Sequence, residues 1–189
     1  SLRTVISEFH SDPGVTSIEI ERGSGGTDLK VIIRAVNSGI LVGSRGSKVA
    51  EIEKILADLT QKTVKVEIKE VQNQFANAQY VASWIARQLE RRARHRTVVH
   101  RAIQQAIEAG AKGIKVQIKG RIQGQEIARQ ERFASGKLPL STLRAKIDYG
   151  TDTANLPKGT VGVKVWIYLG QVIRDKKTRQ WILSEAEPT

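Results

Sequence analysis

A change of hydrophobic period across a glycine turn is the feature that most constrains the fold. Gly43 and Gly46 separate two kinds of apolar pattern. Before them, apolar and charged residues alternate through residues 16–22 and 29–36, as they do in half-buried strands. After them, apolar residues recur every three or four positions through residues 49–59, which predicts an amphipathic helix. The chain must turn sharply between the two patterns, and glycine permits such a turn because it tolerates positive φ.

The elements around this turn predict a first α+β module over residues 1–72. A short helix is expected over residues 4–10, and "TSIEIER" and "LKVIIRAV" predict an antiparallel hairpin. "TVKVEIKEV" alternates again after the helix and predicts a third strand. We expect the stretch "GILV" before the glycine turn to end a strand, and Ser47 to be the N-cap of the helix.

A second α+β module is predicted over residues 73–173. Apolar residues at helical spacing predict two helices, of which the second ends near Gly110. Four strand-like stretches follow, namely "GIKVQIKGRI", "EIARQERFA", "LSTLRAKIDYG" and "GVKVWIYLG". Two helices packed on one face of a four-stranded sheet would bury both apolar surfaces. Residues 174–189 are expected to form a polar tail, from which Trp181 and Ile182 could dock.

The net charge indicates a polyanionic partner. Thirty-one Lys and Arg against 19 Asp and Glu give a formal charge of +12. Nucleic acid is favoured, because every phosphate that a cation neutralises releases condensed counterions. No apolar run approaches the ~18 residues of a membrane span, and no helix opposes these cations with a Trp/Phe/Leu-rich face. A membrane partner is therefore not expected, and a merely soluble basic protein is the remaining alternative.

Enzymatic motifs are missing from the sequence. The chain has no cysteine, which excludes disulfides and thiolate metal sites. It has no P-loop, no metalloprotease motif and no nucleophile elbow. A metal-dependent nuclease built on Asp148 and Asp152 is conceivable, but Asp148 has the position of an ordinary strand-end residue. We expect no catalytic residue, no cofactor and no metal.

The glycine turn is the first candidate RNA site. A helix N-terminus has unpaired N–H groups and a positive partial charge, so it attracts phosphate. Two glycines without Cβ atoms would also let a sugar-phosphate chain approach the backbone. A turn that needs glycine only for steric reasons explains the same pattern. The candidate residues are Gly43, Ser44, Arg45, Gly46 and Lys48.

The stretch "RQLERRARHRTVVHR" (residues 87–101) is the second candidate, because it carries six arginines against one glutamate. This imbalance exceeds that of an ordinary solvated face and favours phosphate contact. His95 and His100 are five residues apart, about 140° around a helix, so they are a poor metal pair and are expected to be polar surface groups. The candidate residues of this basic helix pair are Arg91, Arg92, Arg94, Arg96, His100 and Arg101.

Cations in the predicted strands form the third candidate. Their period-two spacing places several of them on the exposed face of the sheet, which suits phosphate or sugar contact. The candidate residues are Lys119, Arg121, Arg129, Arg132, Lys137 and Arg144. Base stacking on Phe133, Tyr149, Trp166 or Tyr168 is the less favoured alternative, because aromatic residues in strands more often pack in a core or at an edge.

These patterns together resemble known families. The order strand, strand, Gly-x-x-Gly, helix, strand is similar to a type II (prokaryotic) KH domain, a family whose loop clamps about four nucleotides of single-stranded RNA. The blocks "GAKGIKV", "LPLSTLRAKIDYG" and "GVKVWIY" resemble the C-terminal domain of the bacterial-type small ribosomal subunit protein three family. The resemblance covers residues 5–173. The segment that usually precedes the KH domain in that family has no counterpart here.

The resemblance implies a structural constituent of the small-subunit head that binds rRNA and contributes to the mRNA entry channel in translation. It implies the tenth and fourteenth proteins as neighbours in the head, the fourth and fifth at the entry channel, and the second as a further candidate. The implied location is the ribosome of the cytoplasm or of an organelle. A free-standing KH-type regulator of single-stranded RNA is the alternative function.

The resemblance also implies a basic cluster at the turn between the two helices. In the family this cluster has the form Phe-Arg-Arg-Ala-Met-Lys and is associated with gripping and unwinding mRNA. The matching residues 95–100 are His-Arg-Thr-Val-Val-His. Only Arg96 keeps a full charge there, and Arg94 and Arg101 are the nearby cations that would compensate.

Overall fold

The chain folds into two compact units in the computed structural model, Ser1–Gln72 and Asn73–Thr189. The structure describes residues 15–23, 28–36, 38–42, 46–71, 73–174 and 181–184. The helix expected over residues 4–10 lies outside these described residues. Within them, no helix has the length and apolar character that a membrane span requires.

The first unit contains a three-stranded mixed sheet. Strands β1 (Val15–Arg22) and β2 (Asp28–Ala35) form the predicted antiparallel hairpin, and β3 (Thr63–Glu70) lies parallel to β2 in the order β1-β2-β3. Between β2 and β3 the chain forms helix α1 (Ser38–Val42) and helix α2 (Ser47–Thr60). This arrangement is the mixed α+β module that the sequence predicts.

The stretch before the glycine turn is helical, so the prediction that it ends a strand is wrong. Strand β2 stops at Ala35, and α1 begins at Ser38. The reason is topological: because β3 runs parallel to β2, the connection must return along the whole length of the sheet, and parallel neighbours are usually joined by helices. Ile52 and Leu56 lie buried on one side of α2. Together with the apolar residues of β2 they form the core of this unit.

The second unit has the predicted two helices and four antiparallel strands. Its helices are α3 (Ala78–Glu90) and α4 (His95–Glu108). Its strands are β4 (Gly113–Gly120), β5 (Arg129–Gly136), β6 (Ala145–Leu156) and β7 (Gly159–Arg174). They lie in the order β5-β4-β7-β6, with every neighbouring pair antiparallel.

Both helices pack on one face of this sheet. The apolar row Ile114, Val116 and Ile118 of β4 is fully buried there, together with alternate residues of β7. The approach is closest at Gly150 of β6, where an added Cβ would lie 2.4 Å from the backbone of Ala78. The opposite face of the sheet, called the open face below, carries neither α3 nor α4.

Part of the expected polar tail is a strand. Residues Trp181–Ser184 form β8, which pairs antiparallel with the end of β7 at Gln171–Arg174. This strand contains Trp181 and Ile182, the two tail residues that the sequence analysis allowed to dock. The partner strand lies outside this segment, in the last residues of β7.

Candidate nucleic-acid interface

The glycine turn is only partly described, because Gly43, Ser44 and Arg45 lie outside the described residues. Gly46 is the N-cap of α2 and has φ 79°, in the left-handed region, so Ser47 is not the N-cap that the sequence predicted. An added Cβ at Gly46 would meet no atom within 4 Å. The backbone conformation, rather than lack of space, therefore requires glycine at this position.

In the described residues, the N-terminus of α2 has no side-chain cap. Gly46 makes no side-chain capping hydrogen bond, and Lys48 is exposed in the first turn of the helix. Backbone N–H groups at such a position carry a positive partial charge and bind phosphate oxygens. Gly46 and Lys48 thus occupy the positions that the sequence assigned to a phosphate contact.

Charges on the sheet of the first unit are largely paired. Lys30 Nζ lies 2.7 Å from Glu67 Oε2, and a guanidinium nitrogen of Arg34 lies 3.0 Å from a carboxylate oxygen of Glu19. The hydrogen bond to Glu67 raises the pKa of Lys30, and the same contact lowers the pKa of Glu67. This sheet therefore presents matched charges rather than a field that favours a polyanion.

The turn between α3 and α4 presents the basic helix pair to solvent. Helix α3 ends at Glu90, α4 begins at His95, and the turn includes Arg92 with φ 61°. All the candidates of this group are exposed: Arg91, Arg92, Arg94, Arg96, His100 and Arg101. Arg91, Arg92 and Arg94 lie in the turn, Arg96 lies in the first turn of α4, and His100 and Arg101 lie further along that helix.

His95 is buried, and the prediction that it is a polar surface group is wrong. Its side chain lies at the start of α4 over β5, and the residue is only 7% exposed. The Nε2 atom lies 3.1 Å from Oε2 of Glu131, and Nε of Arg96 lies 3.7 Å from the same oxygen. The sequence could not show this contact, since Glu131 is 36 residues further along the chain.

A polar cleft of about 540 Å³ opens at the N-terminus of α4. Arg94, Arg96 and Arg129 line it, and the Glu131 carboxylate lies at its wall. Arg129 belongs to the face of β5 that meets the helices, because the pairing of Ile118 with Glu131 places the odd-numbered residues of β5 on that side. The structure thus brings one predicted sheet cation together with two arginines of the basic helix pair.

The remaining predicted sheet cations do not form one surface. Lys119 and Arg132 lie exposed on the open face. Arg121 follows β4, and its Nε donates a hydrogen bond of 2.9 Å to a backbone carbonyl in the same loop. Lys137 follows β5, and Arg144 precedes β6. Lys119 and Arg132 are thus the predicted cations on the exposed face, and Arg121, Lys137 and Arg144 lie in the loops next to the strands.

Two aromatic rings and two lysines lie beside Lys119 and Arg132 on the open face. Lys115 pairs with Trp166 across β4 and β7, and Tyr149 pairs with Trp166 across β6 and β7. Lys115 Nζ lies 5.4 Å from the centroid of the Trp166 ring, and the Tyr149 and Trp166 centroids are 5.4 Å apart. Sequence reasoning left out Lys164, although the alternation of "VKVWIY" places it on the face of Trp166.

The other two aromatic candidates for stacking are buried or partly buried, although the pairing of Tyr168 with Gly113 places Tyr168 on the open face. Tyr168 is 6% exposed, and Phe133 packs against the buried cluster beneath α3 and α4. The ring of His100 meets the Phe133 ring edge-on, with centroids 5.8 Å apart. Phe133 and Tyr168 thus follow the favoured interpretation of strand aromatics as packing residues.

Asp148 has a structural contact that accounts for its position. Its Oδ2 accepts a hydrogen bond of 2.7 Å from the backbone N–H of Ala78, the first residue of α3. The Asn77 side chain accepts another from the N–H of Tyr80, which completes the cap of the helix. In the described part of the chain, no three potential metal ligands are grouped together.

Comparisons with known proteins agree with this two-unit organisation. The family model for the KH domain matches residues 1–75. The family model described as "Ribosomal protein S3, C-terminal domain" matches residues 85–167.

Relatives named small ribosomal subunit protein uS3 match most of the chain. The protein of Persephonella marina is 45% identical over 93% of this chain and 77% of its own length. That of Sulfurihydrogenibium sp. is 43% identical over 98% of this chain and 81% of its own length. The longer protein of Solibacter usitatus is 40% identical over 99% of this chain but only 54% of its own length. The chain therefore belongs to the uS3 family of small ribosomal subunit proteins, whose members are structural components rather than enzymes.

Proposed function

We propose that the chain binds rRNA in the head of the small subunit and contributes to the mRNA entry channel. The observation that carries this proposal is the cleft at the N-terminus of α4, where Arg94, Arg96 and Arg129 converge. Guanidinium groups bind phosphate oxygens bidentately, and the helix N-terminus adds a positive partial charge. Such a site holds an RNA backbone without reading its bases, which suits an mRNA of any sequence.

The two units divide the contacts in this proposal. Residues 1–72 bind single-stranded RNA as a type II KH domain, with Gly46 and Lys48 at the phosphate chain. Residues 73–173 carry the arginines of the entry channel. In the head of the small subunit, the chain would contact the tenth and fourteenth small-subunit proteins, with the second as a further candidate. At the mRNA entry channel it would contact the fourth and fifth. The protein would act in the cytoplasmic ribosome.

Sedimentation in high salt tests the ribosomal part of the proposal. Affinity of loose electrostatic binders for RNA falls steeply with salt, whereas an integral ribosomal protein stays in the particle. We expect the chain to remain in the small-subunit peak of a sucrose gradient. Release to the top of the gradient would contradict a ribosomal role and favour a free-standing KH-type regulator.

Alanine substitution tests the channel part of the proposal. The triple variant Arg94→Ala/Arg96→Ala/Arg101→Ala should enter small subunits normally but slow translation of structured messages more than of unstructured ones. The control is Lys146→Ala, which removes an exposed cation of β6 that does not line the cleft. Loss of assembly without a specific effect on structured messages would assign these arginines to rRNA instead.

A further inference from the structure

We propose that the open face of the C-terminal sheet is a second binding surface for single-stranded RNA, on which bases stack on Trp166 and Tyr149. This inference rests on the proposed function in so far as both concern RNA. It differs from the arginine cleft in its chemistry, because no Phe, Tyr or Trp lines the cleft. The sheet surface combines aromatic rings with cations, which is the combination that binds nucleic acid strands without sequence preference.

Strand register defines the residues of this surface. Pairing across the four strands aligns Lys115, Trp166 and Tyr149 in one row. The next row, two residues or about 7 Å away, contains Arg132, Gln117 and Lys164. This face of the sheet thus presents two rings beside cations from three strands. Successive nucleotides can lie across the rows with bases on the rings and phosphates on the cations.

The charge of this surface favours an anionic partner. Its cations are Lys115, Lys119, Arg132 and Lys164. The described strand residues β4–β7 that share this face include no carboxylate, since Glu131, Asp148 and Asp152 all lie on the side of the helices. The sheet of the first unit differs, because there Glu19 and Glu67 pair with the neighbouring cations.

The aromatic rings are accessible enough to receive bases. Tyr149 is 48% exposed, and Trp166 is half-buried between it and Lys115. Lys115 Nζ lies over the Trp166 ring at 5.4 Å from its centroid. An exposed cation–π contact contributes less than a base–aromatic stack, so an incoming base can displace this ammonium group. The displaced Lys115 is then free to pair with the phosphate of the same nucleotide.

Fluorescence of Trp166 tests the proposal in the full chain. In a Trp84→Phe/Trp181→Phe background, Trp166 is the only tryptophan left. A single-stranded ten-nucleotide oligoadenylate should quench its emission, whereas polyphosphate and polyglutamate should not, because only RNA brings a base against the ring. Absence of quenching at RNA concentrations that saturate the chain would overturn the proposal. Quenching by polyglutamate but not by RNA would assign the surface to an acidic protein and also overturn it.

Binding of the same labelled oligonucleotide tests the role of each side chain. Trp166→Leu should weaken binding by roughly 5- to 100-fold, and Trp166→Phe, which keeps a ring, much less. Lys164→Ala should reduce the salt slope by about one, while the control Lys158→Ala at the turn between β6 and β7 should leave affinity unchanged. In a chain that also carries Ser44→Asp/Arg45→Asp and Arg94→Ala/Arg96→Ala, which weaken the other two candidate sites, unchanged affinity of a folded Trp166→Leu variant would contradict the proposal. If that variant fails to fold, the quenching result decides.

Sedimentation separates failure of this proposal from failure of the ribosomal one. A Trp166-only chain that stays with small subunits in high salt but is not quenched by RNA leaves the ribosomal role intact and overturns the sheet surface. A chain that is quenched by RNA but leaves the particle in high salt supports the sheet surface and contradicts the ribosomal role.

Discussion

Replacement of Gly150 by alanine tests how closely α3 approaches the sheet. An added Cβ would lie 2.4 Å from the carbonyl carbon and oxygen of Ala78 and from the nitrogen of Gln79. All three are backbone atoms, so no side chain can rotate away. Relief requires the helix to move outward by about 1 Å in a closely packed interior, and overpacking of this kind typically costs ~1–3 kcal/mol.

Movement of α3 would have a second cost. The hydrogen bond of 2.7 Å from the N–H of Ala78 to Asp148 Oδ2 would lengthen, and loss of a helix-capping contact costs ~1 kcal/mol. We therefore expect Gly150→Ala to lower the free energy of unfolding by about 2–4 kcal/mol. Because α3 leads directly into the basic turn, the same shift would displace its arginines.

Gly162→Ala is the matched control for this experiment. Gly162 lies on the neighbouring strand β7, and its added Cβ would meet only a carbonyl oxygen at 3.8 Å, an ordinary contact. This variant should be neutral or gain ~0.4–1 kcal/mol through reduced freedom of the unfolded chain. Urea unfolding followed by tryptophan fluorescence reports the relevant unit, since all three tryptophans lie in it. Equal unfolding midpoints for the two variants would refute the packing argument.

Two further predictions concern single side chains. Glu131→Gln keeps the side-chain shape but removes the charge beside His95 and Arg96, and it should lower the free energy of unfolding in urea by ~1–3 kcal/mol. Arg96→Ala should cost less, because Arg96 is exposed. Equal losses for the two variants would contradict a role for the His95 contact. Burial raises the pKa of Tyr80. The stability gained by burying its neutral phenol is therefore complete below the ordinary tyrosine pKa, and it is lost as pH rises through the higher pKa of the folded state. Ultraviolet absorbance should show a delayed ionisation that Tyr80→Phe abolishes; its persistence in that variant would assign it to another tyrosine.

Local periodicity predicted most of the regular structure. The hairpin of β1 and β2, helices α3 and α4 and strands β4 and β7 follow from apolar spacing, because each element buries one face or one stripe. Short elements were the failures: α1 has five residues and β8 four, too few to display a period. Their conformation depends on the neighbouring strand β3 or β7, and a pairing partner is not visible within the segment itself.

The sequence predicted which segments of the candidate sites are basic, but not how their side chains are arranged in space. Composition identified the basic stretches, yet the three arginines of the cleft come from α4, its preceding turn and β5. Strand parity placed Arg129 on one face and Arg132 on the other, and a one-residue error in a strand boundary reverses such an assignment. The contact of His95 with Glu131 and the contact of Asp148 with the first residue of α3 were not predicted, because the partners lie 36 and 70 residues away in the sequence.

The C-terminal unit therefore separates its cations into two surfaces with different chemistry. The cleft has guanidinium groups at a helix N-terminus and no Phe, Tyr or Trp in its lining, so it can hold a phosphate chain without stacking its bases. The open face holds three lysines, one arginine and two rings, so a strand resting there gains stacking and moves less readily. If RNA occupies both surfaces, their different chemistry predicts different partners. We expect mRNA, which moves during translation, to bind in the cleft, and a stationary RNA strand to bind on the sheet.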